Sequence, residues 1–411
     1  MARVHKDWLS AFLDFSSYAE SPKEMRFWAG VSAIAGALRR KVWIDQAYFT
    51  WSPNFFIILV APPGIVSKST TADLALSLLR EVPGIKFGPD VVTWPALVQA
   101  LAGSCESFEL NGEYYPMSPL TLVASELGNL IQPQDRELIN MYIHLWDGKK
   151  SVEKVTKTSG NDVVEAPWVN MIGCTTPHWI ADNMPPATVG GGFTSRCIFV
   201  YADKKEQFVA YPRFNIPEGF AERRLALIQD LEHISTHLCG EYILTRDAIR
   251  WGEKWYRDLW TNRPPELSSE KLDGYVARKQ THLHKLAMVV AASQRDELTI
   301  TEADLAFAQS MLVSVELDME KVFSRIGKTE NALQVENLLA YIQARGAVPV
   351  DEAYRYMMAH FPDSRELDGV FNGLVKGGMV NLEQRGMDMW MIWRDTSGKR
   401  TAPLTGNKEP S

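Results

Sequence analysis

Seven consecutive apolar residues, "FFIILVA" at Phe55–Ala61, constrain this chain more than any other stretch. A strand that is apolar at every position has no face to offer water, so both of its faces must be covered by other elements. Further apolar runs, "LTLVASE", "WVNMIGCTT" and "RCIFVYA", alternate with helical patterns between about residues 40 and 205. That alternation predicts an α/β fold, a sheet layered between helices.

The segment just after this strand raises the question of function. "PPG" at 62–64 reads as a turn, and "TADLALSLL" reads as an amphipathic helix starting just after Ser69. A helix N-terminus presents unpaired N–H groups and partial positive charge, a natural seat for phosphate. The phosphate-loop pattern G-x-x-x-x-G-K-[ST] would place glycine at 62 and 67; this chain has Pro62 and Ser67. Two readings stay open. In one, Pro63, Gly64, Ser67, Lys68, Ser69 and Thr70 form an altered loop around a nucleotide, with Lys68 on the β- and γ-phosphates and the Ser69 hydroxyl on magnesium. In the other, the segment is only a strand–turn–helix corner.

The ends of the other strands carry polar groups. Glu126 closes "LTLVASE", where a hydrolytic ATPase needs a carboxylate to orient water. Ser125 stands before it, in the place of the usual magnesium-associated aspartate, and a serine there would hold a metal-bound water. Thr175 and Thr176 close "WVNMIGCTT". Arg196 lies between the glycine-rich "GGGFTS" and "CIFVYA", where it either pairs within its own chain or acts on a neighbour's γ-phosphate.

Taken in order, "APPG…SKST", the strand ending in Glu126, "IGCTTPHWI" and "GGGFTSRCIFVYAD" resemble AAA+ ATPases. The resemblance is to the minichromosome-maintenance and superfamily-3 helicase branches, and most of all to a phage and prophage P-loop family often encoded with primases. It covers about residues 40–325. It implies ATP and Mg2+ as cofactors, Thr176 at the sensor-1 position and Arg196 as the arginine finger. It also implies a helical lid in "YVARKQTHLHKLAMVVAASQRDELTITEADLAFAQSML", with Arg278 at the sensor-2 position. A ring oligomer, expected to be a hexamer, comes with the same resemblance, as does a primase or other replication protein as partner.

Single-stranded or forked DNA is the expected substrate. "SVEKVTKT" and "DVVEAPWV" alternate around Ser159-Gly160-Asn161, a hairpin signal. Lys149, Lys150, Lys154 and Lys157 face only Glu153 along its outgoing arm. In the resembling helicases a hairpin at this place enters the ring channel, and lysines from several subunits would suit sequence-independent backbone binding. The net charge of −7 excludes a general polycation and confines any DNA contact to a local patch or a ring-shaped assembly.

The expected organisation is an N-terminal helical segment (1–45), a P-loop ATPase core (46–205), a helical lid (206–330), a winged helix (331–395) and a disordered tail (396–411). Residues 331–394 have eight acidic and six basic residues, which gives the winged helix no basic recognition face. Helical periodicity is read over 220–262 and 270–325, and Trp251, Trp255, Tyr256 and Trp260 are read as a core stripe. His233, His237 and Cys239 have metal-like spacing without further ligands. With no run of 18 apolar residues, no membrane span is expected. Four scattered cysteines suit a reducing cytoplasm, here that of a bacterial host. The leading expectation is an ATP-dependent DNA helicase or translocase of phage or prophage replication. The alternatives are a helicase loader or protein remodeller, and a nucleotide-binding scaffold that has lost hydrolysis.

Overall fold

The structure, a computed structural model, describes residues 2–148, 151–156, 160–184, 192–323, 330–358 and 364–394. The chain divides into two compact units, 1–326 and 327–411.

The first unit is mixed α/β. Helices α1 (Trp8–Phe15) and α2 (Lys23–Leu38) lead into strands β1 (Val42–Asp45), β2 (Thr50–Trp51) and β3 (Phe56–Val60). All of β3 is buried, as its unbroken apolar run demands. Helix α2 is buried at every position from Met25 to Leu38. Its small residues permit that close fit: a side chain at Gly36 would run into Leu79 of helix α3 (Lys68–Leu79).

After α3 come helix α4 (Trp94–Gly103), strands β4 (Glu106–Leu110) and β5 (Glu113–Ala124), and helix α5 (Arg136–Trp146). The β4–β5 hairpin is not among the expected elements, although its signal is present. Asn111 (φ 54°) and Gly112 (φ 85°) form a two-residue turn with both central residues at positive φ, the geometry that Asn-Gly favours. Strands β6 (Ser151–Thr156) and β7 (Gly160–Glu165) pair antiparallel, as their alternation predicts. Strand β8 (Pro167–Thr175), helix α6 (Pro177–Asn183) and strand β9 (Cys197–Tyr201) complete the main sheet.

That sheet has the order β4-β5-β8-β3-β9, with β5, β8, β3 and β9 parallel and β4 antiparallel at one edge. From β3 the chain crosses to β5 on one side; from β8 it crosses back over β3 to β9 on the other. Where connections depart in opposite directions, a crevice opens at the carboxyl ends of the strands, the usual ligand position in open α/β sheets. Here it lies between β3 and β8.

The helical reading of 220–262 and 270–325 needs correction. Helix α7 (Phe220–His237) ends before two short strands, β10 (Gly240–Glu241) and β11 (Ile243–Leu244), and only then does helix α8 (Arg246–Thr261) begin. β10 pairs in parallel with β1. Helices α9 (Lys279–Gln294) and α10 (Glu302–Glu316) are likewise split by strand β12 (Thr299–Ile300), the partner of β11. Two-residue strands are too short to register against the strong helical periods beside them. Leu244 and Ile300 are nevertheless fixed by helix caps one residue on, where Thr245 and Thr301 accept first-turn N–H groups.

The second unit has helices at Glu330–Arg345, Val350–Met358 and Ser364–Lys376 and an antiparallel three-stranded sheet. Its strands are Ala347–Pro349, Val380–Arg385 and Asp388–Trp393, the last two joined through Gly386 at φ 65°. Leu338, Ile342, Met357, Leu367 and Met391 are among its own buried core. The tail expected at 396–411 lies outside the described residues. Among the described residues, no helix is long and apolar enough to cross a membrane.

Candidate functional site

The sheet's carboxyl edge gathers most of the expected site residues. Val60 of β3 pairs with Thr175 of β8, and Ala124 of β5 pairs with Gly173. Glu126, two residues past Ala124, therefore comes level with Thr175, about 10 Å from β3 across two strand spacings. Gly173 makes this corner possible: a built Cβ there would lie 2.9 Å from a Leu127 methyl, so the missing side chain lets Leu127 cover β8. Ser125 and Glu126 are exposed beside it.

Residues 61–67 form the loop between β3 and α3. Pro63, Gly64, Ser67, Ser69 and Thr70 are exposed, and Lys68 is half-buried as the first residue of α3. Gly64 has φ 72° with open space around its α-carbon, so the backbone there is approachable. Lys68 Nζ donates to the Ala61 carbonyl at 2.9 Å. Burial lowers the Lys68 pKa, opposed by Cys174 at the end of β8. Thr176 caps α6, its hydroxyl accepting the Trp179 N–H at 3.1 Å; the hydroxyl proton remains free to donate elsewhere.

Arg196 and Arg278 do not join this group. Because Cys197 pairs with Phe56, Arg196 stands at the amino edge of the sheet, about 20 Å along the strands from Ala61. Its side chain is 7% exposed. Its Nε and Nη2 clasp the two Asp147 oxygens at 2.9 and 2.6 Å, and Nη1 donates to the Gly192 carbonyl at 2.5 Å. Of the two readings open for Arg196, this conformation is the intrachain pair. Arg278 lies close enough for Arg196 and Asp147 to act on its pKa, which burial lowers first, and donates to the Gly274 carbonyl at 3.1 Å.

The same edge holds groups that sequence reasoning missed. Lys285 is fully buried and donates to the Asn54 carbonyl, Asn54 Oδ1 and the Trp146 carbonyl at 3.3, 2.6 and 3.0 Å. Burial pushes its pKa well down, while the three oxygens match the three donors of an ammonium. Arg40 reaches the Pro167 and Gly148 carbonyls at 2.8 and 3.1 Å, clamping both stems of the β6–β7 hairpin. Of the four lysines assigned to DNA, Lys154 is on β6, and Lys149, Lys150 and Lys157 lie outside the described residues. The long chain separation of these partners, such as 49 residues between Arg196 and Asp147, left no local signal.

His282 of α9 is buried against this cluster. Its Nε2 donates to the Ser195 carbonyl at 3.1 Å, and burial pushes its pKa down to about 3. Between that value and the unfolded value near 6.5, the unfolded chain binds the extra proton, so stability falls as pH falls. At pH 5 this single group should cost about 2 kcal/mol relative to pH 7.5. Urea unfolding at both pH values, beside His282→Gln, checks this: the variant should lose that much less on acidification. His284, pushed to about 4 by burial, adds a slope of the same sign that both proteins share.

The zinc-like trio resolves into ordinary contacts. His233 Nε2 lies 2.9 Å from Asp296, and its ring stacks on His237. Among the described residues, no three His, Cys, Asp or Glu side chains converge as a metal cluster. Comparison with known protein families and with curated proteins finds no match to this chain.

Proposed function

We propose that this chain is an ATP-hydrolysing motor of AAA+ type, a DNA helicase or translocase of phage or prophage replication that works as a ring, with six subunits as the resemblance implies. The observation that carries the reading is the strand order, which brings residues 61–70, Ser125–Glu126 and Thr176 to one crevice. The phosphates of ATP fit the exposed amides of the loop and the first turn of α3, and Lys68 would exchange the Ala61 carbonyl for a phosphate oxygen. Magnesium would be held by Ser69 and Ser125, and Asp73, exposed one turn past Ser69 on the same helix face, supplies a carboxylate that position 125 lacks. When bound, the ion neutralises charge on the phosphates.

Glu126 orients water, and Thr176 donates its hydroxyl proton toward the γ-phosphate. Arg196 and Arg278, at the far edge, serve the site of the next subunit. The β6–β7 hairpin, with Lys154, carries the DNA contact, and the three helices and hairpin of the second unit fit a winged helix. The working compartment is the bacterial host's cytoplasm, with a primase as a candidate partner.

The test is steady-state ATP hydrolysis with and without single-stranded DNA. DNA should stimulate turnover, and Lys68→Ala should lower it about 100-fold. A second reading, nucleotide binding without turnover, is favoured by Ser125 where a carboxylate is expected. ATP bound by the native chain with no turnover above that of Lys68→Ala would establish it and defeat the motor. Turnover without any unwinding of a forked duplex would point to a loader or remodeller.

A further inference from the structure

The two edges of the sheet carry a second pair of complementary features beyond the nucleotide residues. At the carboxyl edge, the chain leaving β9 beside the 61–67 loop is tied to the end of α1 by Gln207 Nε2 on the Ser17 and Ala19 carbonyls (2.6 and 2.9 Å). Val209 N–H on Glu20 adds a third tie. From there to α7 it forms an ordered knob. The Phe214 N–H donates to the Tyr211 carbonyl at 3.1 Å, and Asn215 Nδ2 donates to the same carbonyl at 2.8 Å. Yet this knob buries almost nothing: Phe208, Tyr211 and Phe214 are 90%, 70% and 82% exposed. Between 207 and 217 the sequence has one charge, Arg213.

At the amino edge lies a cavity of about 480 Å³ between β1, β10–β11 and α8. Ile44, Ile243, Ile249 and Tyr256 give it apolar walls, and Asp45, Glu241 and Glu253 give it exposed carboxylates. Gln280 and His284, two and six residues past Arg278, also line it. The expected core stripe of α8 is thus uncovered on this side, with Tyr256 and Trp260 at 41% and 54% exposure. Organised aromatic rings facing water mark an interaction site.

We propose that the 208–216 knob of one copy seats in the β1–α8 cavity of the next, so that the chain associates head to tail. The inference rests on the ring reading and names its contact. A knob cannot fill its own cavity. Helix α7, 18 residues long, spans about 27 Å from the knob to the cavity's strand β10. Ten residues fixed at both ends reach outward at most about 17 Å. Arg213 matches the carboxylate rim, and a solid aromatic knob matches an apolar cavity. The pairing of faces also brings the neighbour's Arg278 side toward the 61–67 loop. One patch on one face meeting a different patch on the other is a heterologous interface, the kind from which rings are built when the rotation closes.

Sedimentation of the full chain, with and without ATP, tests this through Phe214→Asp and Gly252→Trp. Gly252 lines the cavity with open space where a β-carbon would go, so a tryptophan there can be built from the backbone and obstructs the cavity. Each variant alone should dissociate at least 10-fold more readily than the native chain. Their equimolar mixture should form a dimer and stop there, since it has one intact knob–cavity pair. A native chain that stays monomeric, variants that assemble like it, or a mixture that stays monomeric would overturn the proposal. Assembly that is intact without any ATP turnover would defeat the motor reading and leave this contact standing.

Discussion

Alanine at Arg196 should lower ATP turnover about 1,000-fold or more while nucleotide binding changes little, because a guanidinium supplied across an interface acts on transition-state charge. The Arg196 and Lys68 variants should each keep only about a hundredth of native turnover or less, but mixing them should recover activity. An interface works when its loop comes from the Arg196→Ala copy and its arginine from the Lys68→Ala copy, which random assembly gives in about a quarter of sites. The register leaves no alternative route for a direct role: Arg196 is level with Phe55, at the end of β3 opposite the loop.

The Asp147 clasp must open for that role. Asp147→Asn should therefore leave turnover unchanged or raise it, since the fork is released. If Arg196 instead served only to hold Asp147 and Gly192, both variants would lose thermal stability together and mixing would recover nothing. Steady-state hydrolysis with unfolding curves on the same samples separates the two outcomes.

Local chemistry makes part of this architecture legible in advance. "FFIILVA" could only be a covered strand, and the cap at Thr176 and the Arg385-Gly386 hairpin announce themselves by residue type. Asn111-Gly112 announces a hairpin just as plainly, ahead of the expected "LTLVASE" run and without being read as one. Other features have no local cause to read. Nothing near Arg196 in sequence names Asp147, and nothing near Arg278 places it beside Arg196 rather than beside Lys68. The aromatic spacing of α8 is real, since Trp251 and Trp255 stack at 6.2 Å. Periodicity, however, says which residues share a face and not what covers that face. Tyr256 and Trp260 share one that this chain leaves open.

Lys279→Met should destabilise the protein by about 3–5 kcal/mol, the usual cost of stranding one partner of a buried ion pair. Lys279 and Glu316 are 1% and 0% exposed and lie 2.6 Å apart, and Tyr275 donates to the other Glu316 oxygen at 2.9 Å. Burial already holds the Glu316 pKa above the ordinary range despite these partners. Without Lys279 it rises further, so the folded state holds a proton that the unfolded state gives up. The deficit should then grow as pH rises through and above the ordinary carboxylate range. Denaturant unfolding at pH 5 and pH 8 reads the sign directly; a loss under about 1 kcal/mol at both would mean water reaches the pair. Lys279→Met with Glu316→Leu removes both charges and should restore all but about 1 kcal/mol, the share of the orphaned Tyr275 hydroxyl. That double variant also isolates a functional question. The pair ties the first turn of α9 to α10 immediately after Arg278, so a protein that is stable but slow in turnover would show that the ion pair sets the arginine's position, not the fold.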